Sequence, residues 1–330
     1  MTLPFLEDAE MTPRALCAPT RETMRLVLAP VLVALASCAQ IAYVGDSLTF
    51  GATAHGQSVD SPPAVMQRLL QWGSFANHRV VNLGHCGLTM TANRTESYQA
   101  TVEFDRLMAS TWDIVIVLLG TNEGLYWDVS THSSCLPAMA RTLADDDLWS
   151  ACSGTSFVRS YLEFLELLRT RGRGPAGPSI FVSIPPPQTL IGSTAEMVDT
   201  LLPRLIPLIA SHSSVPVHGI IDHFMAFGGF NATNRSAMCK KVVSTAPPCS
   251  LMCNANWCDG IHPTDAGYRI MGETAYNAIA PMLLSGWLPG HHRDGRDLHA
   301  TPQGRSASKP HARSRDPSTL LPAGHDLGKS

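Results

Sequence analysis

Charge is scarce in this chain. Asp, Glu, Lys and Arg make up 15% of its 330 residues and the formal net charge is -3, so no broad basic field exists to neutralise a run of phosphates, which argues against nucleic acid as a partner. Long apolar runs are missing too: the stretch from Leu26 to Ala36 stops well short of the roughly 20 residues a spanning helix needs, so no stable membrane span is expected. No internal repeat appears, which excludes repeat architectures. No CxxC pair occurs among the nine cysteines, and the gaps between Cys239, Cys249, Cys253 and Cys258 match no common zinc spacing, so no metal is expected there. What is abundant is apolar side chain, 45% of residues; that is enough to bury a large core and excludes disorder for most of the chain.

The two ends read differently from the middle. Arg21 and Arg25 precede the apolar run, which closes on small residues, so residues 1–39 read as an N-terminal extension with a signal peptide from about Met24. Secretion, or delivery to the secretory lumen, is the expectation that follows. Leu35-Ala36-Ser37-Cys38 also has the look of a lipobox, with lipid on Cys38 as the alternative. Residues 291–330 mix His, Arg, Asp, Ser, Pro and Gly without apolar periodicity and read as a disordered tail. The cysteines that crowd the segment from Cys239 to Cys258, and the pair Cys135 and Cys152 that brackets another, suit disulfides in an oxidising compartment. Sequons at Asn93, Asn231 and Asn234 would be surface glycan acceptors there.

Between the ends, residues 40–290 alternate strand-length apolar runs with amphipathic helical stretches. That alternation predicts a single α/β domain, a three-layer α/β/α arrangement around a parallel sheet of flavodoxin-like topology. Strands are expected at Gln40–Val44, Val80–Leu83, Ile114–Leu119, Ile180–Ile184 and Val217–Ile221. A helix opens at Ser61-Pro62 and runs to Gln71, with Ser61 as N-cap and proline at its first position. Further helices are expected at Phe157–Arg171 and Thr264–Leu284, and Pro203 and Pro207 should kink or split the helical stretch between the last two strands.

The polar residues that follow these strands carry the chemistry. The first strand runs into Gly45-Asp46-Ser47-Leu48, so a serine emerges at the carboxyl end of a buried parallel strand, where open α/β sheets place their ligands. The second ends in Asn82-Leu83-Gly84-His85-Cys86-Gly87, the third in Gly120-Thr121-Asn122-Glu123, and Asp259-Gly260-Ile261-His262-Pro263 precedes the last helix. A bare GDSL tetrapeptide is weak, and an N-cap serine in a turn would account for it. Four blocks in order are not weak. Over about residues 40 to 285 the chain resembles the SGNH hydrolases, or GDSL esterase and lipase family, and within it the carbohydrate O-acetylesterase-like branch.

That resemblance implies a serine esterase working through an acyl-enzyme, with Ser47 as nucleophile, His262 as its general base and Asp259 as the carboxylate orienting the ring. The roles make chemical sense: a serine hydroxyl is a poor nucleophile until a base takes its proton, and the base works only with its tautomer fixed. The resemblance also assigns the oxyanion donors to the backbone N–H groups of Ser47 and Gly87 and the Asn122 side chain, with Gly84 in place of Gly87 if the loop aligns otherwise. Glu123 departs from the family's usual aspartate, and its extra methylene bears on the loop that presents Asn122. Asp46 is expected to brace the nucleophile turn, Tyr126 and Trp127 to wall a pocket or pack the core, and Cys86 to pack or pair in a disulfide.

No cofactor is implied. The expected substrate is a small acyl ester, most simply acetyl on a carbohydrate, since the segments between the blocks contain no greasy lid; a GDSL lipase or lysophospholipase acting on longer chains is the alternative. A non-catalytic glycan-binding pseudo-hydrolase is the alternative of another class, against which Ser47, Asn122, Asp259 and His262 all stand intact.

Overall fold

In the computed structural model, the described residues are 38–52, 57–73, 75–92, 95–126, 135–189, 193–229 and 259–285, all within one unit, Met1–His292. Five strands form the sheet: β1 (Gln40–Gly45), β2 (Arg79–Gly84), β3 (Ile114–Leu118), β4 (Ser179–Ile184) and β5 (Val217–Asp222). They lie in the order β2-β1-β3-β4-β5, every pair is parallel, and this is the flavodoxin-like order expected. Each strand sits within two residues of its expected position.

Why these segments pair is legible in their side chains. Along β1, Ala42 and Val44 face one core while Ile41 and Tyr43 face the other; along β3, Val115 and Val117 alternate with Ile114, Ile116 and Leu118 in the same way. A strand buried on both faces is largely apolar, and each large apolar side chain withdrawn from water contributes about 1.5–3 kcal/mol. The helices are α1 (Ser47–Phe50), α2 (Gln57–Asp60), α3 (Pro62–Trp72), α4 (Val102–Ala109), α5 (Glu123–Tyr126), α6 (Pro137–Ala140), α7 (Asp145–Cys152), α8 (Ser156–Arg169), α9 (Ser193–Glu196), α10 (Leu202–His212), α11 (His223–Ala226) and α12 (Asp265–Leu284). One face of the sheet is covered by α8 and α10, through Phe157, Phe164, Leu165, Leu205 and Ile209. The other is covered by α3 and α12, through Met66, Leu70, Tyr268, Met271 and Ile279.

Local chemistry sets the helix ends. Thr155 and Thr264 cap α8 and α12, their hydroxyls accepting from Val158 and Gly267 N–H. Ser61 stands at the N-cap of α3 as expected, but its side chain makes no capping bond; Pro62 and Pro63 leave Ala64 N–H as the one donor a cap could take. The expectation that Pro203 and Pro207 kink or split this stretch is corrected in one respect: they do not split it. The irregularity lies upstream, as a π-helical turn over Met197–Leu201, and α10 then continues through Pro207. Pro203 occupies the first turn, where no N–H is needed, and burial of Leu202, Leu205, Ile206, Leu208 and Ile209 carries the helix past the bond Pro207 cannot make. The disulfide expected between the bracketing cysteines is present, Cys135 to Cys152. The Cys239–Cys258 cluster and the sequons at Asn93, Asn231 and Asn234 lie outside the described residues.

Candidate active site

At the carboxyl edge of the sheet, β1 ends in Gly45, and the chain turns at Asp46 into α1, whose first residue is Ser47. Glycine is forced at the strand end: a Cβ on Gly45 would lie 2.0 Å from Thr49 Oγ1 and 2.6 Å from the Leu118 carbonyl oxygen. Asp46 braces the turn as expected, its Oδ1 accepting from Leu48 N–H at 2.9 Å. Ser47 is thereby held with its side chain toward the loop that precedes α12, and its residue is only 5% exposed.

That loop brings the other two members. His262 Nε2 lies 2.8 Å from Ser47 Oγ, and His262 Nδ1 lies 2.5 Å from Asp259 Oδ2. The other Asp259 oxygen, Oδ1, accepts from the N–H groups of Ile261 and His262, each at 2.8 Å. Burial would raise the Asp259 carboxyl, but the His262 ring and these two backbone donors outweigh it and hold it below the usual carboxylate range. With Asp259 ionised, Nδ1 carries a proton and donates it to Oδ2. Nε2 is left as an acceptor for the Ser47 hydroxyl. Thr189 N–H donates to the Gly260 carbonyl at 2.9 Å, tying this loop to the segment after β4.

The remaining blocks converge on the same rim. Asn122 Nδ2 donates to the Leu88 carbonyl at 2.9 Å and to Asp46 Oδ2 at 3.4 Å, so one side chain ties the first, second and third blocks together. Of the two candidate glycines, Gly84 has its N–H engaged by Asn82 Oδ1 at 2.9 Å, and a Cβ there would strike Phe50 N at 2.3 Å; it serves the packing of α1 on β2. Gly87 is exposed, holds φ at +79°, and has no heavy atom within 4 Å of where a Cβ would stand. Its glycine is required by backbone conformation and not by space. No backbone acceptor takes its N–H among the described residues.

Glu123 is where the sequence reading was least informative. It is sealed at 3% exposure, its Oε1 accepting from Thr91 N–H at 2.9 Å, with Thr91 Oγ1 at 3.5 Å. Burial pushes its carboxyl up to about 7, the N–H groups of Thr91 and Met90 pull against that, and the charge of Asp46 adds to the rise. Burial likewise pushes Asp46 up to about 6, opposed by Leu48 N–H and by His262. Thr91 and the Leu88 carbonyl were not foreseen, because a backbone group used at a distance leaves no sequence signature. Trp127 and the Tyr126 side chain lie outside the described residues. Cys86 is corrected: it is an exposed free thiol, neither packed nor paired, and burial together with the Asp46 charge raises its thiol, so it is not an activated nucleophile.

A cavity of about 400 Å³ runs along the open edge of β2, lined by Phe50, Gln67, Asn82, Glu103 and Arg106 among others. It lies beside the Ser47 turn and contains none of Ser47, Asp259 or His262. Among the described residues no three His, Cys, Asp or Glu side chains cluster as metal ligands would, and no helix is long and apolar enough to cross a membrane.

The family model for the GDSL-like Lipase/Acylhydrolase family matches residues 43–270. No curated protein matches the chain. Among solved structures, an aryl esterase of M. smegmatis is 18% identical at a TM-score of 0.48, over 74% of this chain and 99% of its own. A carbohydrate acetylesterase family member from Sinorhizobium meliloti is 20% identical at 0.44, over 74% and 99%. An acetyl esterase mutant with an acetate ion is 15% identical at 0.43, over 76% and 100%.

Proposed function

This chain belongs to the GDSL-like lipase/acylhydrolase family, a family of ester hydrolases, and from that premise we propose that it is a secreted serine esterase that removes small acyl groups, acetyl above all, from carbohydrate esters. The observation that carries the reading is the continuous relay from Ser47 Oγ through His262 to Asp259, at 2.8 and 2.5 Å. In the reaction Ser47 attacks the ester carbonyl as its proton passes to His262 Nε2. The imidazolium that forms is stabilised by Asp259 and returns the proton to the departing alcohol. Water, activated by the same ring, then releases the acid from the acyl-enzyme. Negative charge on the carbonyl oxygen is met by the Ser47 and Gly87 N–H groups and by the Asn122 amide, which gives up its weaker bond, 3.4 Å to Asp46 Oδ2, to the oxyanion. No cofactor takes part in these steps.

Preference for a short acyl group follows the expectation from the sequence, in which no segment between the blocks forms a greasy lid. Secretion is supported by the Cys135–Cys152 disulfide, a bond at home in an oxidising compartment. The lipid-anchored alternative is weakened because the Cys38 sulfur is already disulfide-bonded.

The test is a panel of p-nitrophenyl esters of graded length together with acetylated sugars, run beside fluorophosphonate labelling of wild type and Ser47→Ala. Labelling should vanish in the variant, and kcat/KM should be highest for acetyl. Octanoyl preferred to acetyl by tenfold or more, about 1.4 kcal/mol, would replace this reading with the lipase one; undiminished turnover in Ser47→Ala would end the mechanism itself.

A further inference from the structure

Two carboxyl groups that the relay does not use are buried on either side of Asn122. Asp46 is 0% exposed and Glu123 3%, and no Lys, Arg or His forms an ion pair with either among the described residues. Every oxygen but one is accounted for. Asp46 Oδ1 takes Leu48 N–H and Oδ2 takes the Asn122 amide; Glu123 Oε1 takes Thr91 N–H; Glu123 Oε2 is sealed from solvent and makes no hydrogen bond of ordinary geometry. The Tyr161 hydroxyl on α8 is likewise buried and without a hydrogen bond; burial raises its pKa and the Glu123 charge adds to the rise.

We propose that Asp46 and Glu123 hold one proton between them in the working enzyme, with Glu123 the neutral partner, and that in this state Glu123 positions the loop facing Ser47. The inference rests on the serine-esterase reading above. Two buried carboxylates linked through Asn122, one bonded to its amide and the other the next residue along the chain, with no ion pair to either among the described residues, are disfavoured as a doubly ionised pair, so one of them keeps its proton. The charge belongs on Asp46, because Asp46 has two donors and His262 attracts its negative form, whereas Glu123 keeps one buried oxygen without a hydrogen bond, and a negative charge on Asp46 works against its ionisation.

The positioning follows from the contacts. Glu123 Oε1 grips Thr91; Ser160 Oγ grips Ala92 N–H at 3.0 Å; and three residues before Thr91 the Leu88 carbonyl receives the Asn122 amide. Gly87 therefore stands in front of a segment pinned at three points. Loss of the Glu123 proton puts a second negative charge beside Asn122, where it opposes the charge developing on the ester oxygen. Turnover should fall while substrate affinity holds.

The experiment follows kcat and KM for p-nitrophenyl acetate from pH 6 to 9 in wild type and Glu123→Gln, with Glu123→Asp alongside. Wild type should lose about tenfold in kcat on the alkaline side at constant KM, the scale of one pKa unit of interaction. Glu123→Gln, which copies the neutral acid, should keep wild-type kcat near neutrality and lose the alkaline decline. Glu123→Asp, too short to reach Thr91, should lower kcat at every pH. An alkaline limb unchanged in Glu123→Gln, or a Gln variant more than tenfold slower throughout, overturns the proposal. Infrared difference spectra of the wild type between pH 5.5 and 8.5 test the proton without a variant: a protonated-carboxyl C=O band should be present at the lower pH and be lost on raising it, and its absence also overturns the proposal. If Ser47 fails to react with fluorophosphonate while that band is present, the esterase reading has failed and the shared proton has not.

Discussion

Replacing Asp259 by Asn changes one oxygen to NH2 and keeps the shape, so its effect isolates the electrostatics of the relay. The structure dictates which way the new amide points. Asp259 Oδ1 accepts from two backbone donors, Ile261 and His262 N–H, each at 2.8 Å; the amide oxygen must stay there, because NH2 in that place would set donor against donor twice. The NH2 group is then left facing His262 Nδ1, which now lies 2.5 Å from an oxygen. Facing a donor, Nδ1 must give up its proton and become the acceptor, so the proton moves to Nε2 and is aimed at Ser47 Oγ. The ring can then no longer take the serine proton. A wrong tautomer of this kind costs on the order of 10³–10⁴ in kcat, about 4–5.5 kcal/mol of transition-state stabilisation. Nothing in the substitution touches bound ester, so KM should stay within a few-fold. The assay is steady-state hydrolysis of p-nitrophenyl acetate, paired with the rate of fluorophosphonate labelling, which should fall in parallel because it also needs an activated Ser47. Circular dichroism melts confirm that the variant is folded. An Asp259→Asn enzyme within tenfold of wild type in kcat would refute both the assigned tautomer and the role of this carboxylate.

Two further outcomes test the frame around the relay. Gly84→Ala inserts a Cβ 2.3 Å from Phe50 N and 2.8 Å from the Thr49 carbonyl carbon; since backbone cannot step aside cheaply, α1 must shift, costing about 1–3 kcal/mol and lowering kcat with it. An unchanged melting temperature and kcat would refute that account. His223 is buried at 0% exposure, its Nε2 3.3 Å from Tyr43 Oη and its Nδ1 unpartnered, and burial lowers its pKa from 6.5 to about 3. Below pH 6.5 the unfolded chain therefore takes up a proton that the native ring refuses, so stability falls as pH falls from 6.5 toward 3, by roughly 4–5 kcal/mol over the window. Buried Asp46 and Glu123 are shifted upward and oppose this loss, so the readout is the difference between wild type and His223→Gln in urea melts. Equal acid sensitivity in both would remove His223 as the cause.

The sequence alone determined whatever depends on neighbours along the chain. Ile114–Leu118 reads as a strand buried on both faces, because a run this short, with four of its five residues β-branched, suits a strand better than a helix. Asp259 and His262 could be paired on paper because three residues of loop bring a carboxylate to a ring, and a serine straight after a parallel strand must open at the carboxyl edge. The tertiary structure decided what depends on distant segments meeting. It put Gly84 into the packing of α1 and left Gly87 open, although both are glycines of one sequence block. It left Cys86 unpaired and carried α10 through Pro207, because the distance to a partner cysteine and the core beneath a helix are properties of the assembled fold. The buried pair Asp46 and Glu123 shows the difference most plainly. From the sequence Asp46 takes a bracing role and Glu123 stands as a departure, but neither is seen to be buried; only closure of the fold, bringing Thr91 to Glu123 across 32 positions and Asn122 to Asp46 across 76, removes the water that would have let both ionise.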